Sequence, residues 1–186
     1  NLVRSLSSSD RPHVLNVNFI YELPFLKNRR DVVSFVAGGW QVSGFATYRS
    51  GAPLSITDTV DTAGVGPGSG NQPWDLVGDP SVSGERGLDR PWFNGAAFAR
   101  PALGRFGNAG LNILRGPGFS NLDLALFKNF RVRENGLNIQ FRAETFNTVN
   151  HPVLSNPNIN PRGGFFGVVT GKSGERNLQL ALKVSF

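Results

Sequence analysis

Five stretches of this chain alternate apolar and polar residues with a period of two, each over about ten residues, and each is bounded by Gly, Pro, Asn or Asp. Period two marks a β-strand with one greasy and one wet face, because successive side chains point to opposite sides of the pleat. Leu137, Ile139, Phe141, Ala143 and Thr145 alternate with Asn138, Gln140, Arg142 and Glu144. Leu178, Leu180, Leu182, Val184 and Phe186 alternate with Gln179, Ala181, Lys183 and Ser185. Earlier, Leu15, Val17, Phe19, Tyr21 and Leu23 oppose Asn16, Asn18, Ile20 and Glu22, and Trp40, Val42, Gly44, Ala46 and Tyr48 oppose Gln41, Ser43, Phe45, Thr47 and Arg49. In the remaining stretch Leu122, Leu124, Leu126 and Phe130 share a row with one charge, Lys128, opposite Asp123, Ala125, Phe127 and Asn129. Helical periodicity is hard to find, so the fold class is all-β.

Alternation suits either a soluble sandwich or a membrane barrel, and the connections discriminate between them. Residues 24–39, 51–120, 131–136 and 148–176 run shorter, longer, shorter, longer. Outer-membrane barrels have this rhythm, with short turns on one side and long loops on the other. Strand length agrees: tilted membrane strands need ~9–11 residues, whereas soluble strands cluster near ~5–6. The expectation is an antiparallel up-and-down meander, a partial transmembrane β-barrel with long extracellular loops at 51–120 and 148–176 and a short periplasmic turn at Asn135-Gly136. Trp40, Tyr21 and Phe186 then fall near the periplasmic interface and Tyr48 near the outer one, where aromatic girdles lie. Lys128 falls near the periplasmic interface, where a lipid-facing Lys costs only ~0–1 kcal/mol. Five strands cannot close a barrel, because single-chain barrels start at about eight. Together with a first residue, Asn1, that is not Met, this leads to the expectation that 1–186 is the C-terminal portion of a larger barrel.

Composition removes several other classes. With 39% hydrophobic residues and a net charge of +6, the chain is not a disordered polymer. The absence of Cys excludes disulfides, thiol catalysis and Cys-ligated zinc, and His13 and His151 alone offer little to a metal. The basic residues are scattered, Arg29-Arg30 being the one adjacent pair, so nucleic acid is not an expected partner. Gly171-Lys172-Ser173 ends like a phosphate-binding loop, but Phe166 stands where that motif needs Gly. No Gly-x-Ser-x-Gly elbow is present, and neither catalytic residue, metal nor cofactor is expected.

The remaining candidates are binding and structural. Trp74, Trp92 and Phe93 in the first long loop are candidate ligand contacts; their bland alternative, favoured because so long a loop needs its own apolar cluster, is that they staple the loop to itself. Arg49, Asp123, Gln140, Arg142, Glu144 and Lys183, with Glu22, occupy polar rows, where a lumen would place them; the functional reading is contact with a plug domain or a passing solute, and the favoured structural one is cross-strand ion pairing. Asp58, Asp61, Asp75, Asp79, Glu85 and Asp89 offer hard oxygens to Ca²⁺, but with no EF-hand spacing they read as solvated loop charges, and the glycines at 64, 66, 68 and 70 as a flexible tip. Leu178, Leu180, Leu182, Val184 and Phe186 are the most specific feature, since a chain end in a sandwich frays and has no need of an aromatic.

Several segments, in order, carry a resemblance: Arg11-Pro12-His13, Gly39-Trp40-Gln41-Val42-Ser43-Gly44, Tyr48-Arg49-Ser50-Gly51-Ala52-Pro53-Leu54, Trp92-Phe93-Asn94 with Ala97-Phe98, and Gly107-Asn108-Ala109-Gly110. They continue with Leu114-Arg115-Gly116-Pro117-Gly118, the stretch from Asp123 to Phe130, Phe141-Arg142-Ala143-Glu144, Phe146-Asn147, Asn150-His151-Pro152 and the closing row to Phe186. So ordered, the chain resembles the C-terminal barrel of TonB-dependent outer-membrane receptors, especially the large type with a carboxypeptidase-regulatory-like N-terminal domain. The resemblance implies the last strands of a barrel of about 22 strands that imports a scarce nutrient such as a metal-siderophore, vitamin or oligosaccharide. It implies energisation through TonB and a plug domain, neither contact being encoded in these residues, and reading of the Phe-ended strand by the barrel-assembly machinery. Outer-membrane lipid is the expected surroundings. The competing readings are a passive porin-like barrel and, from another class, a soluble β-sandwich acting as a binding or adhesion module.

Overall fold

The computed structural model describes residues 5–25, 31–68, 70–131 and 137–185. Five long strands form one sheet: β1 (Val14–Glu22), β2 (Trp40–Arg49), β3 (Phe119–Arg131), β4 (Asn138–Phe146) and β5 (Asn177–Ser185). Their spatial order is their sequence order, an up-and-down meander, with β1 and β5 at the open edges of the sheet. They make one layer and not the two packed layers of a sandwich.

Register preserves the alternation of the sequence. Phe141 stands between Lys128 and Leu182, and Ala143 between Leu126 and Leu180, on the apolar face. Gln140 stands between Asn129 and Lys183, and Arg142 between Phe127 and Ala181, on the polar face. A slip of one residue would put Arg142 among the leucines, so the hydrophobic row itself fixes the register. Gly44 interrupts the apolar row of β2 because a Cβ there would stand 2.5 Å from the Phe19 ring and 2.9 Å from Leu124. The missing side chain lets the Phe19 ring of β1 lie across the neighbouring strand.

The connection after β1 contains one short helix, α1 (Val32–Ala37), which the strand pattern did not announce. Asp31 caps it by accepting the Ser34 N–H at 2.9 Å, satisfying a donor that has no partner within the helix. The helix lies on the apolar face: Phe35 meets Phe130 at 5.3 Å between ring centroids, and the Trp40 indole donates to the Val36 carbonyl at 3.1 Å. The expected turn at Asn135-Gly136, the pair Arg29-Arg30 and the terminal Phe186 lie outside the described residues.

The chain divides into two compact units. Residues 14–48, 120–152 and 174–186, which hold α1 and the sheet apart from Arg49 and Phe119, belong to one; residues 1–13, 49–119 and 153–173 make the other. The long loops are thus not featureless. Short antiparallel pairs join Pro53–Leu54 to Leu114–Arg115, Thr57–Asp58 to Gln72–Pro73, Asp75–Leu76 to Phe98–Ala99, and Val153–Leu154 to Lys172–Ser173. They surround a core of Ile56, Phe93, Ala97, Phe98 and Ala109, against which Trp74, Trp92, Leu114 and Phe166 pack.

Candidate functional site

In the loop unit, aromatic rings supply the adhesion expected of a stapled loop. Phe166 is the hub, with ring centroids 5.2 Å from Phe93, 6.1 Å from Phe98 and 6.4 Å from Trp74. Phe93 is only 2% exposed, at the centre of this core and not on a surface where a ligand would meet it. Trp74 and Trp92 are half-buried; the Trp74 indole points its N–H at Asp58 (3.4 Å), and the Trp92 indole donates to the Arg115 carbonyl (2.7 Å) with Arg86 above its ring at 5.2 Å. Of the three aromatic candidates, the two tryptophans keep some exposed surface and Phe93 serves the core.

Asp58, Asp61 and Asp75 depart from the solvated reading, whereas Asp79 and Asp89 are exposed. Asp75 receives two bonds from the Arg105 guanidinium, one at 2.9 Å, and one from the Asn108 N–H at 2.9 Å, while Asn108 in turn accepts the Leu76 N–H at 2.6 Å. Arg105 chiefly, with the Asn108 N–H, holds the Asp75 carboxyl below its ordinary range against the opposing effect of burial. Asp58 binds Arg162 at 2.6 Å. Burial pushes the Asp58 carboxyl up, but the bonds from Arg162, the Val60 N–H and Trp74 together outweigh it and leave it low. Asp61 accepts the N–H groups of Gly64, Val65 and Gly66 and the Gln72 amide, which folds the glycine-rich segment into an ordered turn. Bonding from Gly66, then Gln72, lowers the Asp61 carboxyl. These carboxylates are committed to arginines, amides and backbone, and no metal-binding cluster of His, Cys, Asp or Glu occurs among the described residues.

On the polar face of the sheet, Arg142 reaches along its own strand to Glu144 (2.7 Å) and lies over the Phe127 ring at 4.9 Å on β3. The expected cross-strand ion pair is therefore an i, i+2 pair, because the residues opposite Arg142 are Phe127 and Ala181. Gln140 does bond across strands, to Asn129 at 2.9 Å. Asp123 accepts the Asn147 N–H at 2.8 Å, and Lys183 is exposed opposite Gln140. A groove of about 540 Å³ in this unit is lined by residues of both rows, among them Asn18, Ser43 and Asp123 of the polar rows and Phe19, Leu124 and Thr145 of the apolar ones. In the other unit Arg49 lies 5.6 Å over the Phe119 ring. On the opposite side of the sheet Leu178, Leu180, Leu182 and Val184 are all exposed.

Lys128 differs from its expectation as an exposed cation at an interface. It is 3% exposed, donates to the Gly38 carbonyl at the end of α1, and sits 5.0 and 5.5 Å from the Phe130 and Trp40 ring centres. Sequence reasoning missed this because it missed the helix. The one available signal was Asp31 three residues ahead of Ser34 at the head of an apolar run.

The motifs quoted above turn out to be crossing points. A Cβ on Gly51 would stand 1.8 Å from the Gly116 carbonyl oxygen, and one on Gly107 would stand 2.3 Å from the Pro73 oxygen. Asn147 adopts φ 51° and Asn150 φ 53°, and the Asn147 amide holds His151 through its N–H and carbonyl and also donates to the Gly174 carbonyl. These residues build the frame of the loops.

A single antiparallel sheet of long strands with one apolar and one polar face is consistent with a portion of an outer-membrane β-barrel. In agreement, the family model described as outer membrane beta barrel domain matches residues 1–179, and the chain belongs to that family. Its place is the bacterial outer membrane. No curated protein and no solved structure matches the chain.

Proposed function

We propose that this chain supplies closing strands of a larger outer-membrane barrel that performs TonB-dependent uptake of a scarce solute, and that it carries no catalysis and needs no cofactor. The observation that carries the reading is the open five-stranded meander. Within lipid every unpaired backbone group at an edge costs several kcal/mol, so β1 and β5 need further strands beside them. In this reading the row of Leu126, Ala143 and Leu180 meets lipid, Gln140, Arg142 and Glu144 meet the lumen, and the loop unit stands outside the cell with Trp74 and Trp92 as its solute-facing aromatics. The plug and the TonB contact belong to the N-terminal remainder, the solute is a metal-siderophore, vitamin or oligosaccharide, and the closing strand to Phe186 is what the barrel-assembly machinery reads. The ordered motifs shared with TonB-dependent receptors favour energised import over a passive pore.

The test begins with the intact mass of the outer-membrane polypeptide that contains this sequence. A chain several times longer supports the reading, and a chain near 20.1 kDa overturns it. Growth on limiting nutrients, compared between strains lacking this gene and strains lacking TonB, then separates the mechanisms. The same lost nutrient in both strains supports energised import; a nutrient lost only with this gene assigns a passive pore.

A further inference from the structure

The helix α1 is apolar nearly all round. Val32, Val33 and Val36 are exposed, Val32 at 79%, Phe35 keeps about half its surface open even where it meets Phe130, and Phe25, ahead of the helix, is exposed as well. Its first and last turns contain neither an acid nor a base. A helical turn of this kind on a water-facing surface would be a liability. It rests on the apolar face through Phe130 on β3 and Trp40 on β2, while Trp40 also meets Phe141 on β4 edge-to-face at 6.0 Å. β3 is the middle strand, two strands from either edge. Strands added beside β1 or β5 extend the sheet sideways and leave this face as it is.

We infer that α1 is a lipid-embedded strap on the outer wall of the barrel: its outward valines lie among phospholipid acyl chains near the membrane interface, continuous with the apolar row of the sheet. The inference rests on the proposed assignment of that row to lipid. The strap also explains why a lysine occupies the apolar row. The helix brings the Gly38 carbonyl over Lys128, and Trp40 and Phe130 flank the ammonium, so the cation is taken up by protein and not presented to hydrocarbon. Without the strap, the same lysine would have to reach the headgroups alone.

These 186 residues contain no cysteine, so once any cysteine elsewhere in the full-length protein is replaced by serine, site-specific labelling is direct. In the full-length protein, Val33→Cys and Val36→Cys carry a polarity-sensitive fluorophore, with Ala143→Cys as the lipid-row reference and Gln140→Cys as the lumen reference. Each is reconstituted in phosphatidylethanolamine–phosphatidylglycerol vesicles containing spin-labelled lipid, and folded protein alone is counted by its heat-modifiable gel mobility. Expected is at least a twofold greater quenching by spin-labelled lipid at 33 and 36 than at 140, with iodide from the water quenching them less than 140. If 143 is lipid-quenched while 33 and 36 respond to iodide like 140, or to neither quencher, the strap is wrong and the face assignment stands. If 143 itself escapes lipid quenching, the face assignment fails and the strap fails with it. Lys128→Met gives a second reading. It removes the bond to Gly38, so labels at 33 and 36 are expected to lose their distinct quenching depth; an unchanged depth overturns the locking role.

Discussion

Asn147 offers a sharp test of how the end of β4 is held. It is 6% exposed and lies at φ 51°, in the left-handed region. Its amide donates to the His151 carbonyl at 2.9 Å and to the Gly174 carbonyl, and its oxygen accepts the His151 N–H at 2.9 Å. Three side-chain bonds at a net worth of about 1 kcal/mol each come to roughly 3 kcal/mol. An alanine at positive φ adds about 1 kcal/mol of backbone strain. Asn147→Ala should therefore destabilise by roughly 4 kcal/mol, and Asn147→Gly by about 1 kcal/mol less, because glycine takes the same φ freely. Asn147→Asp keeps the acceptor and loses both donors, for a loss of about 2 kcal/mol. The assay is urea unfolding of the full-length protein in lipid vesicles, read by tryptophan fluorescence, with amide exchange at the junctions 145–151 and 174–178 as a local readout. A loss below about 1 kcal/mol for Asn147→Ala, or equal losses for the alanine and glycine variants, would refute the reasoning.

Three further outcomes are expected. The Asp75 carboxyl is held low, so its contribution is fully present above the ordinary carboxyl value near ~3.9 and is lost as pH falls through its depressed value; acid titration of tryptophan fluorescence should show this loss, and Asp75→Asn should flatten it. Gly51→Ala forces a Cβ to 1.8 Å from the Gly116 oxygen, so the pairing of Pro53–Leu54 with Leu114–Arg115 should open, and limited proteolysis within 51–118 should become rapid. Phe93→Ala empties the centre of the aromatic core and should cost roughly 3–5 kcal/mol, measured as a lower urea midpoint of the loop unit's tryptophan signal.

Strand alternation was legible because one face had to be uniformly apolar over the whole length of each strand. The residues Ile139, Phe141 and Ala143 fall on one side in both sequence and structure, within a residue of the expected bounds. The loop unit was legible only as aromatic content. Its ladders are two residues long, too short for any period, and its partners are distant in sequence, as Arg162 is from Asp58. Nothing local distinguishes Asp58 or Asp75 from a solvated loop acid. Arg142–Glu144 was misassigned for a similar reason: alternation gives the face of a side chain but not the neighbour it chooses on that face. The short helix escaped because six residues provide less than two turns of periodicity beside a much stronger strand signal.

The loop unit is assembled from three separated stretches, and its closing pieces arrive late. Pro91 bridges to Val168 and Leu88 to Val169, while Arg115 reaches back to Asp10. A chain emerging N-terminus first therefore presents residues 49–119 well before 153–173 exist to complete them. Its central ring, Phe166, is among the last residues to be delivered. Completion of this unit therefore needs residues from all three stretches, so a chain cut after β4 would leave the loop core without its central ring.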